Sequence, residues 1–170
     1  MIETKRLTLR PLTLDDASFY LRLVNEPSFL ANIGDKGVRD LEGARAALLS
    51  GPMAMQSQLG YSLWMVNRKE DGAAIGMCGL IKRDTLPDTD IGYAYLPAFW
   101  GQGYAWEAAS AALAFGRDVI GLPRLLGIVS PGNTASSELL KKLGMHYVER
   151  LATEKDTDLY CIEFSAAPPL

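Results

Sequence analysis

The sequence predicts a mixed α/β (α+β) fold, a mostly antiparallel twisted sheet of about six to seven strands flanked by about four helices. Three observations carry that expectation. Apolar runs of strand length are separated by turn residues and by runs of helical period along the 170 residues. Asp71-Gly72 stands between two strand-like runs, the chemistry of a tight hairpin. One strand, helix, strand succession over 91–129 requires a right-handed crossover, and therefore a parallel pair within the sheet.

The first strand is expected over 6–12, where Leu7, Leu9 and Leu12 alternate and Pro11 suits an edge. Thr13 caps a helix over 14–24, with Asp15 and Asp16 complementing its dipole and Pro27 marking its end. Residues 28–39 read as a loop. Asp40 caps a second, short helix through Ala44, Ala47 and Leu48, closed by Ser50-Gly51-Pro52. The hairpin strands occupy 61–68 and 73–82, and 91–96 completes an antiparallel meander after Pro87-Asp88. From Gly103 to Val119 the period turns helical, with Ala105, Ala109, Ala112, Leu113 and Gly116 on one face and Gly121-Leu122-Pro123 as the stop. A strand over 125–129 follows. Ser130-Pro131-Gly132 then leads into a helix over 134–143 ended by Gly144, and two last strands fall over 145–151 and 159–164.

Composition bounds the function. A chain of this length buries one sizeable core, so a single domain over 1–170 is expected. Hydrophobic residues at 48% and charged residues at 22% are globular values, against disorder and coiled coil. No apolar run approaches the ~20 residues of a membrane span, and the first six residues lack a signal-peptide core, so a cytoplasmic protein without a membrane partner is expected. The net charge of −3 offers no footprint for nucleic acid. Cys78 and Cys161 show no CxxC pairing and there is a single histidine, so neither a metal site nor a redox pair is expected. His146, at a strand start, suits a structural or surface role.

The informative stretch is Pro97-Ala98-Phe99-Trp100-Gly101-Gln102-Gly103-Tyr104-Ala105-Trp106-Glu107-Ala108, two glycines between a strand end and an Ala-rich helix. Such a turn aims consecutive N–H groups outward at a helix N-terminus, which suits a pyrophosphate without any lysine. A GxGxxG fingerprint would need glycine where Trp106 stands, and the GK[ST] ending of a Walker loop is missing. Taken alone, a GxG before a helix is also ordinary structural punctuation.

The wider pattern, Pro97-x-x-Trp100-Gly101-x-Gly103-Tyr104-Ala105-x-Glu107-Ala108, resembles the acetyl-CoA motif of the GNAT N-acetyltransferases. Thr4-Lys5-Arg6-Leu7-Thr8-Leu9-Arg10-Pro11-Leu12, Ile91-Gly92-Tyr93, and Asn133-x-x-Ser136 with Lys142-Leu143-Gly144-Met145 are similar, in the same order, to the ribosomal-protein N-terminal (alanine/serine) acetyltransferase branch. The resemblance covers nearly the whole chain. It implies the GNAT fold, in which the parallel pair splays, with acetyl-CoA as co-substrate, no metal, and a monomer or homodimer. It places the pantetheine arm between 91–96 and 125–129, hydrogen-bonded near Tyr95 and Leu96, and the pyrophosphate on the N–H groups of Gly101, Gln102, Gly103, Tyr104 and Ala105. Where the superfamily motif usually begins with Gln or Arg, this chain has Trp100, which suits the branch and a packing role.

Acetyl transfer needs a neutral amine, a donor for the developing oxyanion and a proton for the departing thiolate. At pH 7 the neutral form costs roughly 4.6 kcal/mol for a lysine and roughly 1.4 kcal/mol for an α-amine, so an N-terminal acceptor needs only a modest base. By resemblance Asp90 is that base through water; by its setting after Pro87, in Asp88-Thr89-Asp90, it reads as a turn residue in a solvated connection. The thiolate acid, a tyrosine in many superfamily members, is Leu140 here, and Ser136 is its substitute by resemblance or an ordinary helix-start residue. Asn133 faces the cofactor in the family and also fits an N-cap, and Tyr104 fits a packing role. Phe29, Asn32 and Ile33, with Tyr93, form the acceptor site by resemblance, although 25–39 would serve equally to pack the early helices. The expected activity is transfer from acetyl-CoA to a protein or peptide N-terminus, with a small-molecule amine acceptor or a non-catalytic acyl-CoA sensor as alternatives.

Overall fold

The computed structural model describes residues 1–152 and 155–165. The chain opens with β1 (Ile2–Glu3) and β2 (Leu7–Pro11), followed by helices α1 (Ala17–Val24), α2 (Pro27–Asn32), α3 (Leu41–Leu48) and α4 (Ala54–Leu59). The meander is β3 (Leu63–Arg68), β4 (Ala74–Ile81) and β5 (Asp90–Tyr95); α5 (Tyr104–Phe115) crosses over to β6 (Arg124–Val129), and α6 (Thr134–Lys142), β7 (His146–Leu151) and β8 (Thr157–Glu163) complete the chain. All eight strands form one sheet in the order β1-β2-β3-β4-β5-β6-β8-β7. Every pair is antiparallel except β5 and β6.

The architecture matches the mixed fold expected, with differences concentrated in the helices. The first helix ends at Val24 ahead of Pro27, as expected, but Pro27 also begins α2 at the first helical position, where its missing N–H is no loss and its fixed φ is already helical. Residues 28–32 of the expected loop over 28–39 are therefore helix. Pro52, read as a stop, lies inside a wide π-helical turn over Leu49–Met53 that joins α3 to α4, and Gly60 with φ 76° is the true end. The eighth strand, β1, is two residues long, too short to give any period.

The sheet's two faces bury separate clusters. On one, α5 packs through Ala108, Ala109, Ala112 and Leu113 against Leu9, Ile75, Leu80 and Ile91, with Leu140 of α6 in the same cluster. Those small residues let α5 lie close to the sheet. On the other face, Leu23 and Val24 of α1 and Ala44 and Leu48 of α3 pack against Met65, Met77 and Leu96. Because strand side chains alternate, Ile91, Tyr93 and Tyr95 point to the α5–α6 face, whereas Asp90, Gly92 and Ala94 point to the α1–α3 face.

The start of the chain locks the start of α5. Glu107 accepts from Thr4 Oγ1 at 2.6 Å, from the Arg6 amide at 2.7 Å and from Arg6 Nε at 2.7 Å. Arg6 also donates through Nη1 to the Gln102 carbonyl at 2.9 Å, and its guanidinium lies 4.4 Å from the Tyr104 ring centre. One arginine therefore fixes both the loop before α5 and its first turn.

Two stability outcomes follow. A Cβ on Gly76 would overlap the Ala94 carbonyl oxygen and the Tyr95 ring, so Gly76→Ala forces β4 and β5 apart. It should cost about 2–4 kcal/mol in urea unfolding. Burial acts to raise the Glu107 carboxyl, but the hydrogen bonds from Thr4 and Arg6 outweigh it and hold the group below its ordinary value. That stabilisation is present above the unfolded value and lost as pH falls through the folded one. Glu107→Gln should thus cost about 1–3 kcal/mol at pH 7, with the gap from wild type closing below pH ~4 in thermal melts at stepped pH.

Candidate functional site

Between β5 and β6 the sheet comes apart. Both are six-residue strands, β5 pairs with β4 along its whole length, and β6 pairs with β8 along its own. Among the described residues, however, β5 and β6 are in register at Asp90↔Leu126 alone, where the Leu126 amide donates to the Thr89 carbonyl at 2.9 Å. Beyond that point they diverge, leaving a V whose vertex is Asp90 and whose mouth lies at the C-terminal strand ends.

The edge groups facing the V follow from the pairing with β4. The Leu96 amide donates to Ile75, so in an antiparallel ladder the even-numbered residues of β5 turn their backbone toward β4 and Tyr93 and Tyr95 turn theirs into the gap. Leu96 has its amide on Ile75 and its carbonyl accepting from Phe99 at 3.0 Å, and it is not a free edge residue. The Tyr95 carbonyl accepts from Trp100 Nε1 at 3.0 Å, which ties that half-exposed indole back to the strand end.

At the mouth of the V, Gly101 and Gly103 hold φ of 70° and 82°, a conformation that leaves glycine alone unstrained. None of the amides from Gly101 to Trp106 has an acceptor among the described residues. They comprise the loop and the first turn of α5, where helix N–H groups have no internal partner. Space for a ligand adjoins them, a cleft of about 270 Å³ bounded by this loop and by Ala135, Leu139 and Lys142 of α6. Gln102 is exposed and bonds to Ala98 through its side chain, Tyr104 is buried beneath Arg6, and Ala105 lines the cleft. This loop can hold an anion by backbone dipoles alone.

The expected catalytic residues lie on opposite faces of the V. Asp90 is fully buried, not the solvated turn residue its setting also allowed; its Oδ1 accepts from Arg83 Nε at 2.9 Å and its Oδ2 has no partner among the described residues. Burial pushes its carboxyl up to about 6 against the pull of Arg83. Ser136 sits in the first turn of α6, and its Oγ lies 2.6 Å from the Tyr93 hydroxyl. Asn133 is the N-cap of that helix, its Oδ1 accepting from the Ser136 amide at 3.3 Å. Leu140, in the position of the missing tyrosine, is buried in the core. Burial pushes the Cys78 thiol up to about 12, so it is an inert packing group.

The expected acceptor set does not stay together. Phe29 is buried against α1 and α3 and is a core residue, because α2 turns its aromatic inward. Asn32 contributes its carbonyl, which accepts from Ser130 Oγ at 2.5 Å and ties the end of α2 to the turn before α6. Ile33 is 44% exposed. Tyr93 stands on the other face of the sheet, with Ser136. Sequence reasoning missed the partners: Arg83 for Asp90, Tyr93 for Ser136, and Arg6 for Glu107. Arg6 and Glu107 both lay inside quoted motifs, and their opposite charges were the available signal.

Comparison with known proteins supports this geometry. The acetyltransferase (GNAT) domain family matches residues 6–146. YkkB of Bacillus subtilis, itself uncharacterised, is 31% identical over 147 residues, 85% of this chain and 84% of the relative. The uncharacterised N-acetyltransferase YoaA of the same organism is 27% identical over 170 residues, covering 95% and 96%. The crystal structure of an acetyltransferase from Agrobacterium tumefaciens superposes with a TM-score of 0.82 at 26% identity, covering 96% of this chain and 94% of that one. Two further solved structures share the fold at low identity: a RimL ribosomal-protein alpha-N acetyltransferase in complex with coenzyme A (TM-score 0.81, 16%) and the spermidine N-acetyltransferase SpeG of Vibrio cholerae (0.73, 17%). A split sheet, an amide-lined loop before α5 and a family match over most of the chain converge: this protein belongs to the GNAT superfamily and is an acyl-CoA-dependent N-acetyltransferase with acetyl-CoA as its co-substrate.

Proposed function

We propose that the chain works as one domain that moves the acetyl group of acetyl-CoA directly to a primary amine in a ternary complex, the acceptor being a protein or peptide N-terminal α-amine. Asp90 carries this reading. A buried carboxylate with a free oxygen, at the vertex of the V and on the α1–α3 face, suits a base that takes an amine's proton through water. Its raised value, about 6, is matched to an α-amine, whose deprotonation at pH 7 is far cheaper than a lysine's.

The surroundings of Asp90 favour the α-amine over a polyamine. Arg83 is bonded to it, and the charge of Lys82 also acts on it. A second ammonium on the acceptor would meet two cations and one carboxylate, an arrangement of the wrong sign. This divides the two low-identity fold neighbours, and supports a RimL-like acceptor over a SpeG-like one.

The coenzyme fits the residues present. The amides of Gly101, Gln102, Gly103, Tyr104 and Ala105 offer donors to the diphosphate, Tyr93 and Tyr95 offer backbone edge groups to the pantetheine arm, and Asn133 borders the mouth as the cap of α6. The thioester then lies between the two faces, with the amine approaching from the side of Asp90, Asn32 and Ile33 and the sulfur leaving toward Ser136. The C–N bond forms as the C–S bond breaks, the electron pair departs on sulfur, and the amine proton passes to Asp90.

In calorimetry with acetyl-CoA, Gly103→Val should abolish measurable binding, because a side chain at φ 82° is strained and a Cβ there already stands 3.2 Å from Arg6 Nη2. Unchanged affinity would remove the loop from the site. Turnover on a pool of N-terminal peptides should rise with pH through about 6 as Asp90 ionises. Asp90→Asn should lose that limb and about 10²-fold in kcat; an intact limb rules Asp90 out as the base. Coenzyme binding without turnover on peptides or small amines would mark the protein as a sensor.

A further inference from the structure

The Tyr93–Ser136 bond crosses the V. It joins β5 to the first turn of α6 on the face where sulfur departs, and at 2.6 Å it is short for two neutral hydroxyls. The Tyr93 hydroxyl is also 3.4 Å from the Ser136 carbonyl, too long to compete. Serine in a first helical turn commonly spends its hydrogen on a nearby backbone carbonyl, but among the described residues the Ser136 hydroxyl has Tyr93 as its partner and no other.

Resting on the acetyl-CoA reading above, we propose that Tyr93 is a positioning residue for thiolate release: its phenol donates to Ser136 Oγ, which turns the Ser136 hydrogen into the V toward the departing sulfur. Burial pushes the Tyr93 phenol up to about 12, so it remains protonated, and a donor, wherever the enzyme works. A serine whose oxygen already accepts a hydrogen bond is the better donor. The N-terminal end of α6 adds its dipole in the same direction. When the C–S bond breaks and the pair stays on sulfur, the Ser136 O–H holds that charge until solvent supplies a proton. Two hydroxyls from different elements do the work assigned elsewhere in the superfamily to the tyrosine that is Leu140 here.

The test needs coenzyme A and no acceptor. The thiol of bound coenzyme A is titrated by the ultraviolet absorbance of its thiolate. In the wild type it should ionise about one pH unit below the thiol of free coenzyme A titrated alongside. Tyr93→Phe keeps the ring, and Ser136→Ala keeps the helix. Each should return the thiol toward its ordinary value with affinity for coenzyme A changed less than about threefold, and the double variant should match Ser136→Ala alone. An unshifted thiol in the wild type, a Tyr93→Phe value equal to wild type, or additive effects in the double variant would each overturn the role of Tyr93. Absence of coenzyme A binding to the wild type in calorimetry would instead overturn the acetyl-CoA reading, and this proposal with it.

Discussion

Everything in this site depends on a sheet that is stitched once and then left open. β5 is held by β4 and β6 by β8, so each strand has one fully paired edge and one edge that, among the described residues, meets another strand at Asp90↔Leu126 and has no strand partner thereafter. Unpaired strand edges away from water are costly, and a protein retains them where another chain of amide groups is to be laid alongside. Pantetheine is such a chain, with two amides of its own. On the proposed reading, the fold builds half of a β-ladder and leaves the other half for the co-substrate.

On the same proposal, the loop at the mouth solves a second problem, binding a highly charged group in a protein of net charge −3. It uses geometry in place of lysine. Six consecutive amides are freed by the left-handed turns at Gly101 and Gly103 and by the start of α5, and Arg6 braces them from behind through the Gln102 carbonyl, the Tyr104 ring and Glu107. The arginine's charge is largely taken up by Glu107, so its contribution is rigidity. Preorganised dipoles of this kind need no rearrangement when the anion arrives.

Much of this was legible in the sequence because it rested on local chemistry. Asp71-Gly72, the glycine pair before α5, the Asn133 cap and the single crossover each work over a few residues, and each fixed an element or a connection. The prolines were read only in part, for a physical reason: Pro27 follows the end of one helix but begins the next equally well, and a wide turn absorbs Pro52. The site was less legible. That Phe29 is core, that Tyr93 belongs with Ser136 and not with Ile33, and that Asp90 is buried against Arg83 all depend on which face of the sheet each residue takes. Side-chain alternation gives that only once the register is known.

The central claim, that a thioester carrier completes the open edge of β5 and docks on the loop beyond it, is tested most directly by amide hydrogen exchange followed by NMR with and without coenzyme A. Slowed exchange is expected at Tyr93, Tyr95 and the amides from Gly101 to Ala105, with little change on the outer strands β1 and β7. Tight binding that leaves those amides exchanging as before would contradict the account.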